Sequence, residues 1–202
     1  FILGGLKVSD KIKLIDNIIN NADIICIGGA MAFTFLKAKG FNIGSSYFEK
    51  NAMNLAKNII NNADKSGVEL VLPVDAIVSD NIDNVQNVDI KDIGSFDTKD
   101  CGFDVGPKTI SLFKKKLKKS KTIVWNGPLG VAEKSEFANG TNLVAQFLNN
   151  LIDVSTVIGG GDTASCIYNV LPENNFSHIS TGGGSSLELL SGNKLPAFEV
   201  LK

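Results

Sequence analysis

The chain has little of what the most obvious chemistries require. It carries one histidine, His178, and three cysteines, Cys26, Cys101 and Cys166. The cysteines are scattered, odd in number and without metal-ligand spacing, which favours reduced thiols in a cytosol-like compartment, each packed in the core by default. No apolar run approaches the ~18 residues needed to cross a bilayer, and no cleavable signal pattern is visible. A cytoplasmic location without a membrane partner is therefore expected. The formal net charge is −1, so the bulk balance gives no reason to expect a nucleic-acid partner. One basic cluster, Lys114 to Lys119, has no interleaved aromatics to stack bases and ends a predicted helix, where cations complement the dipole; it reads as a solvated face. Two familiar phosphate motifs are also missing: there is no G-x-x-x-x-G-K-[ST] and no G-x-G-x-x-G with a following acid, which disfavours P-loop hydrolases and ordinary dinucleotide dehydrogenases.

What the chain does have is glycine, in turns that nearly all follow a short apolar run: Gly4-Gly5 with Lys7, Gly28-Gly29, Gly127 with Gly130, Gly159 to Asp162, and Gly182 to Gly184. Apolar runs such as Ile2-Leu3 and Thr156-Val157-Ile158 suit buried parallel strands. A glycine turn after such a strand lets backbone N–H groups and a helix N-terminus approach phosphate oxygens. The repetition points to a phosphate cleft.

With 202 residues and 44% hydrophobic content, the chain suffices for one large domain, or a domain with a small appendage, at roughly 100–200 residues per domain. Helical spacing predicts helices over 8–21, 30–39, 51–66, 108–118, 136–149, a segment ending near Val170, and 185–190. Strands are expected at 1–4, 23–27, 69–72, 76–79, 122–125, 156–158 and 178–180, with the polar stretch 80–100 as a surface excursion containing a strand. Alternation of strand and helix predicts an α/β fold: a doubly wound, mostly parallel six-stranded sheet with helices on both faces, Rossmann-like. Ligands of such sheets bind beyond the carboxyl ends of the strands.

Several residues there bear chemistry. Lys7 and Lys11, four apart across a turn, can reach one cleft mouth and neutralise a transferring phosphoryl group, or be two surface lysines. Asp162, behind three glycines, can hold Mg²⁺ on nucleotide phosphates or simply cap a helix with Thr163. Thr181 to Gly184 offers N–H donors without an acid, or a tight structural turn. Trp125 reads as core; Glu133 can accept from ribose hydroxyls or be an exposed acid. His178 reads as a satisfied buried histidine, because transfer to an ionised acceptor needs no base.

Taken together, Gly4 to Lys11, Gly28 to Leu36, Leu72 to Asp75, Trp125 to Pro128, Gly159 to Thr163 and Ser177 to Gly184 resemble, in the same order, the C-terminal nucleotide-binding domain of the phosphoglycerate kinase family. The resemblance spans essentially all of 1–202. It implies a domain that binds MgADP or MgATP and faces a separate N-terminal domain holding 3-phosphoglycerate, in a monomer. Because Phe1 falls inside an expected strand, a preceding segment is expected, and this chain alone is expected not to turn over substrate. By the family pattern Lys7, Gly161, Gly183 and Gly184 are catalytic. Gly5, Leu6, Lys11, Gly29 and Ala30 would line the nucleotide site, with Asn126, Pro128 and Gly130. Gly160, Gly161 and Thr163 would cradle phosphates, Asp162 would hold Mg²⁺, Glu133 the ribose, and Gly102 and Gly106 would line the adenine slot. Leu6, Ala30 and Ala132 depart from the usual alanine, glycine and phenylalanine, and reduced nucleotide affinity is the expected result. A non-catalytic nucleotide-binding module derived from such a domain is the alternative reading.

Overall fold

The computed structural model describes residues 1–83, 87–182, 188 and 192. The expected helix over 185–190 and the catalytic expectations on Gly183 and Gly184 lie outside the described residues.

Six strands form one parallel sheet: β1 (Ile2–Leu3), β2 (Ile24–Ile27), β3 (Glu69–Val71), β7 (Thr122–Asn126), β8 (Ser155–Gly159) and β9 (His178–Ser180). Their order is β3-β2-β1-β7-β8-β9, so the winding reverses direction across β1 and β7. That reversal opens a crevice at the carboxyl ends of the central strands.

Alternation along the strands explains why the sheet is covered on both sides. Leu3, Ile25 and Ile27 point into a core shared with α1 (Ile12–Ile18), α2 (Met31–Ala38) and α3 (Met53–Ser66). Ile2, Cys26, Ile123, Trp125 and Ile158 point the other way, against α4 (Pro107–Leu117), α5 (Asn139–Asn149) and α6 (Gly161–Val170). A strand buried on both faces has no polar side to show, which is why these segments read as continuous apolar runs.

A second sheet departs from the expectation of a single one. β4 (Asp75–Ser79), β5 (Asp89–Asp92) and β6 (Cys101–Val105) pair antiparallel in the order β5-β4-β6. The run 76–79 therefore belongs to this appendage, and β6 was not foreseen. Its sequence, CGFDV, contains a glycine and an aspartate that pattern reading assigns to a loop. The appendage packs on α2 through Phe33, Leu36, Ile43, Val78 and Phe96.

Two expected helices are divided. The segment 8–21 is a short 3₁₀ turn at Ser9–Lys11 followed by α1, and 136–149 is a 3₁₀ turn at Ser135–Phe137 followed by α5. His178 also departs from expectation: it is exposed, at the start of β9, opposite Val157. Trp125 is fully buried, and its Nε1 donates to the Gly127 carbonyl at 2.8 Å. Cys26 is buried and desolvation pushes its thiol up to about 12, whereas Cys101 and Cys166 are only half-buried. Among the described residues no helix is long and apolar enough to cross a membrane.

Candidate functional site

The carboxyl ends of β1, β2 and β7 converge through their backbones. Gly4 N–H donates to Asn126 O at 2.9 Å, Gly5 N–H to Pro128 O at 2.9 Å, and Gly29 N–H to Leu129 O at 2.9 Å. A side chain cannot enter such packing. A Cβ on Gly29 would lie 2.5 Å from both the N and the O of Gly5, and its φ of +63° already disfavours any L side chain. These glycines make the crevice floor.

Gly5, Leu6, Lys7, Lys11, Asn126, Pro128, Gly160, Gly161, Asp162 and Thr163 line one cleft at this rim, together with Asp10 and Gly127. Ten of the residues expected from the sequence are thus brought together. Asp10 was not singled out from the sequence as a cleft residue; its position between Lys7 and Lys11 was the available signal. The chain has no arginine, so the cleft's cationic character comes from lysines.

Lys7 is exposed, whereas Lys11 is buried with its ammonium donating to Asn126 Oδ1. Burial lowers the Lys11 pKa from the ordinary lysine range, against the opposing pull of Asp10 and Asp162. Asn126 Nδ2 in turn donates to Gly159 O at 2.9 Å, so one buried amide holds both Lys11 and the end of β8. Thr163 Oγ1 accepts from Gly127 N–H at 2.8 Å. The hydroxyl is thereby committed to the fold as well as to the cleft wall.

Gly160 and Gly161 are glycines for different reasons. Gly160 has φ +100°, a backbone requirement. Gly161 begins α6 without a left-handed φ, and a Cβ placed there meets nothing within 4 Å. Neither the backbone nor the surrounding protein demands glycine at that point. The open space lies where a helix N-terminus presents its N–H groups, the arrangement that receives phosphate oxygens.

Among the described residues no cluster of three or more His, Cys, Asp or Glu forms a ready-made metal cage. Asp10 and Asp162 are the carboxylates that line the cleft, and one or two carboxylates with waters and substrate phosphates are the ordinary donors to Mg²⁺. Asp162 is exposed in the first turn of α6.

The remaining expected residues are dispersed around this rim. Ala30, directly behind Gly29, is the residue that caps the start of α2. Glu133 is exposed, and its charge acts with that of Asp162 on Cys166 of α6, whose thiol is raised first by burial and then by these two acids. Gly102 and Gly106 flank or lie within β6 and face protein: the Phe33 ring occupies the space a Gly102 Cβ would need, and the Asp75 carboxylate that of Gly106. Gly130 is closed in by Asp104 and the Phe137 carbonyl. Beside Gly29 lies a small apolar recess lined by Phe33, Pro73, Phe103 and Leu129, with Asp104 at its wall. Thr181 and Gly182 follow β9, whose Ser180 pairs beside Gly159, and so fall on the same edge of the sheet.

Fold and site together define an open doubly wound α/β domain with a lysine- and glycine-lined cleft at its topological switch point. The chain belongs to the phosphoglycerate kinase family, whose model matches residues 1–193. It is 48% identical over 201 residues to the phosphoglycerate kinase of Dictyoglomus turgidum, covering 100% of this chain and 51% of that protein. It is 50% identical over 203 residues to that of Pseudothermotoga lettingae, covering 99% and 50% respectively. The solved structure of the Coxiella burnetii phosphoglycerate kinase superposes with a TM-score of 0.93 at 38% identity, over 100% of this chain and 52% of that one. The Pyrococcus horikoshii enzyme gives 0.83 at 29% identity, over 99% and 50%. The chain thus spans about half the length of the relatives it matches.

Proposed function

We propose that this chain binds MgADP and MgATP in the cleft and supplies the nucleotide half of a phosphoglycerate kinase. The reaction would be reversible transfer of the carboxyl phosphoryl group of 1,3-bisphosphoglycerate to ADP, giving 3-phosphoglycerate and ATP. The observation that carries this reading is the meeting of Lys7, Lys11, Asp162 and the open face of Gly161 at one rim.

Each residue has a part that its position supports. Backbone N–H groups at the start of α6 receive nucleotide phosphates, and the buried Lys11 ammonium, held by Asn126, adds a fixed positive charge beneath them. Lys7, exposed at the mouth, reaches the phosphoryl group in transit and neutralises charge spread over its oxygens. Asp162 holds Mg²⁺, which when bound screens the phosphate charges and orients them. The base would lie against the apolar side chains beside Gly29. Glu133 accepts from the ribose.

The acceptor 3-phosphoglycerate would come from the separate domain present in full-length relatives, and closure of the two halves would exclude water during transfer. The test is ATP formation from 1,3-bisphosphoglycerate and ADP by the intact protein and by its Lys7→Ala variant. Formation in the first and a loss of at least ~100-fold in the second support the reading. An intact protein that forms no ATP, or a variant as active as the parent, refutes it.

A further inference from the structure

Glu49 lies in none of the segments that build the cleft, yet it touches the stretch between the two cleft lysines, at Ser9. Its Oε2 accepts the Ser9 N–H at 3.0 Å across 40 positions of sequence. The 3₁₀ turn Ser9–Lys11 begins after Val8 with no side-chain cap of its own. A turn of this kind is poorly hydrogen-bonded by itself, and a carboxylate at its start satisfies an orphan N–H and complements the positive end. Glu49 is itself fixed, because its N–H donates at 3.0 Å to Thr34 Oγ1, on a residue fully buried in α2. The same helix is tied to the glycine turn by the Met31 N–H, which donates to Gly5 O at 3.1 Å. The lysine-bearing segment is thus held to α2 on both sides of Lys7.

The electrostatics agree with the geometry. Burial would push the Glu49 carboxyl up, but hydrogen bonds from Ser9 and the Val8 backbone, together with the Lys7 charge, outweigh it and hold the group below its usual range. Glu49 therefore stays ionised beside Lys7 at neutral pH.

We propose that Glu49 is a positioning residue: its carboxylate caps the Ser9–Lys11 turn and so aims the Lys7 and Lys11 ammonium groups into the cleft. Its consequence for ligand binding rests on the cleft being the Mg-nucleotide site. Its consequence for the turn does not.

The experiment compares the intact protein with Glu49→Ala and Glu49→Gln by amide hydrogen exchange, by the rate of Lys7 acetylation read by peptide mass spectrometry, and by titration of ADP with Mg²⁺. In Glu49→Ala the Ser9 amide is expected to exchange at least ~10-fold faster while amides in β7 and β8 keep their rates. Lys7 acetylates faster, and ADP affinity falls about 3- to 15-fold because the two side chains must be ordered on binding. Glu49→Gln, which retains an oxygen for the Ser9 N–H, keeps Ser9 protected and still acetylates Lys7 faster. Unchanged Ser9 exchange in the alanine variant overturns the proposal, as does acceleration spread evenly over the sheet, or unchanged affinity in a protein that binds ADP. If the alanine variant does not fold, Glu49→Asp, whose shorter side chain draws the carboxylate back from the Ser9 N–H, decides, and Ser9 exchange equal to the parent overturns the proposal. A parent protein that binds no ADP contradicts the proposed function, and Ser9 exchange with Lys7 acetylation then decides the role of Glu49.

Discussion

The Gly127 amide donates to the Thr163 hydroxyl at 2.8 Å, joining the loop after β7 to the first turn of α6. Both residues line the cleft, so one buried hydrogen bond ties two parts of its lining together. Replacement by Thr163→Val keeps the shape and removes the acceptor, leaving a buried N–H unpaired. A loss of about 1–3 kcal/mol is expected in urea unfolding, with faster amide exchange at Gly127. Unfolding identical to the parent would show that the bond is not needed to hold the lining together.

Two glycines separate fold from function. Gly29→Ala places a Cβ 2.5 Å from the Gly5 backbone at a φ of +63°. It is expected to cost about 2–4 kcal/mol in a denaturant melt. Gly161→Ala meets only open space, so stability is expected to stay within about 0.5 kcal/mol or rise slightly, as alanine favours the helix. Nucleotide affinity is expected to fall, because the methyl group would stand where the proposed site receives phosphate oxygens. A stable Gly161→Ala protein with parental affinity would remove the ligand from that spot.

Asp75 is fully buried and caps α4 from another element. Its carboxylate accepts the Lys108 N–H at 2.9 Å and the Thr109 N–H at 2.7 Å, with the Thr109 hydroxyl 2.6 Å from Oδ1. Asp75→Ala removes the acceptor of the Lys108 and Thr109 N–H groups, while the Thr109 hydroxyl keeps the residue-75 backbone carbonyl at 2.9 Å. A loss of about 2–4 kcal/mol in thermal or denaturant unfolding is expected, larger than for an ordinary cap. A change under about 1 kcal/mol would mean that other groups replace the cap.

Asp104 behaves differently, for among the described residues no cation pairs with it. Burial raises its pKa to about 7, although N–H groups of Gly140 and Val105 donate to it at 2.7 and 2.8 Å and pull the other way. The folded protein then binds a proton that the unfolded chain has already released, so stability falls as pH rises from about 4 to about 7 and stays lower above. Asp104→Asn removes that dependence. Relative to the variant, the parent is expected to lose on the order of 2–4 kcal/mol across that window in melts at stepped pH. Parallel stability curves would contradict it.

These residues also show what was legible in the sequence. β1, β2, β7 and β8 announce themselves because burial on both faces leaves an unbroken apolar run, and a glycine turn closes each. Lys7, Lys11, Asp162 and Thr163 could be found for the same reason: the turns carrying them follow such strands, and strand ends in a parallel sheet share one edge. β6 could not be found so. Its Gly102 and Asp104 are there to admit the Phe33 ring and to meet the N-terminus of α5, both requirements of distant partners. The same long-range packing accounts for Gly102, Gly106 and Gly130, whose missing side chains make room for Phe33, Asp75 and Asp104. Glu49 escaped because nothing local marks it; its partners are Ser9 and Thr34.

The most direct test of the account is calorimetric titration of ADP into the protein with and without Mg²⁺, repeated on Asp162→Asn. Saturable one-to-one binding that strengthens with Mg²⁺ in the parent, and a loss of at least ~10-fold confined to the Mg²⁺ condition in the variant, is the expected result. Binding that ignores Mg²⁺, or a variant that binds MgADP as tightly as the parent, would contradict the assignment of this cleft.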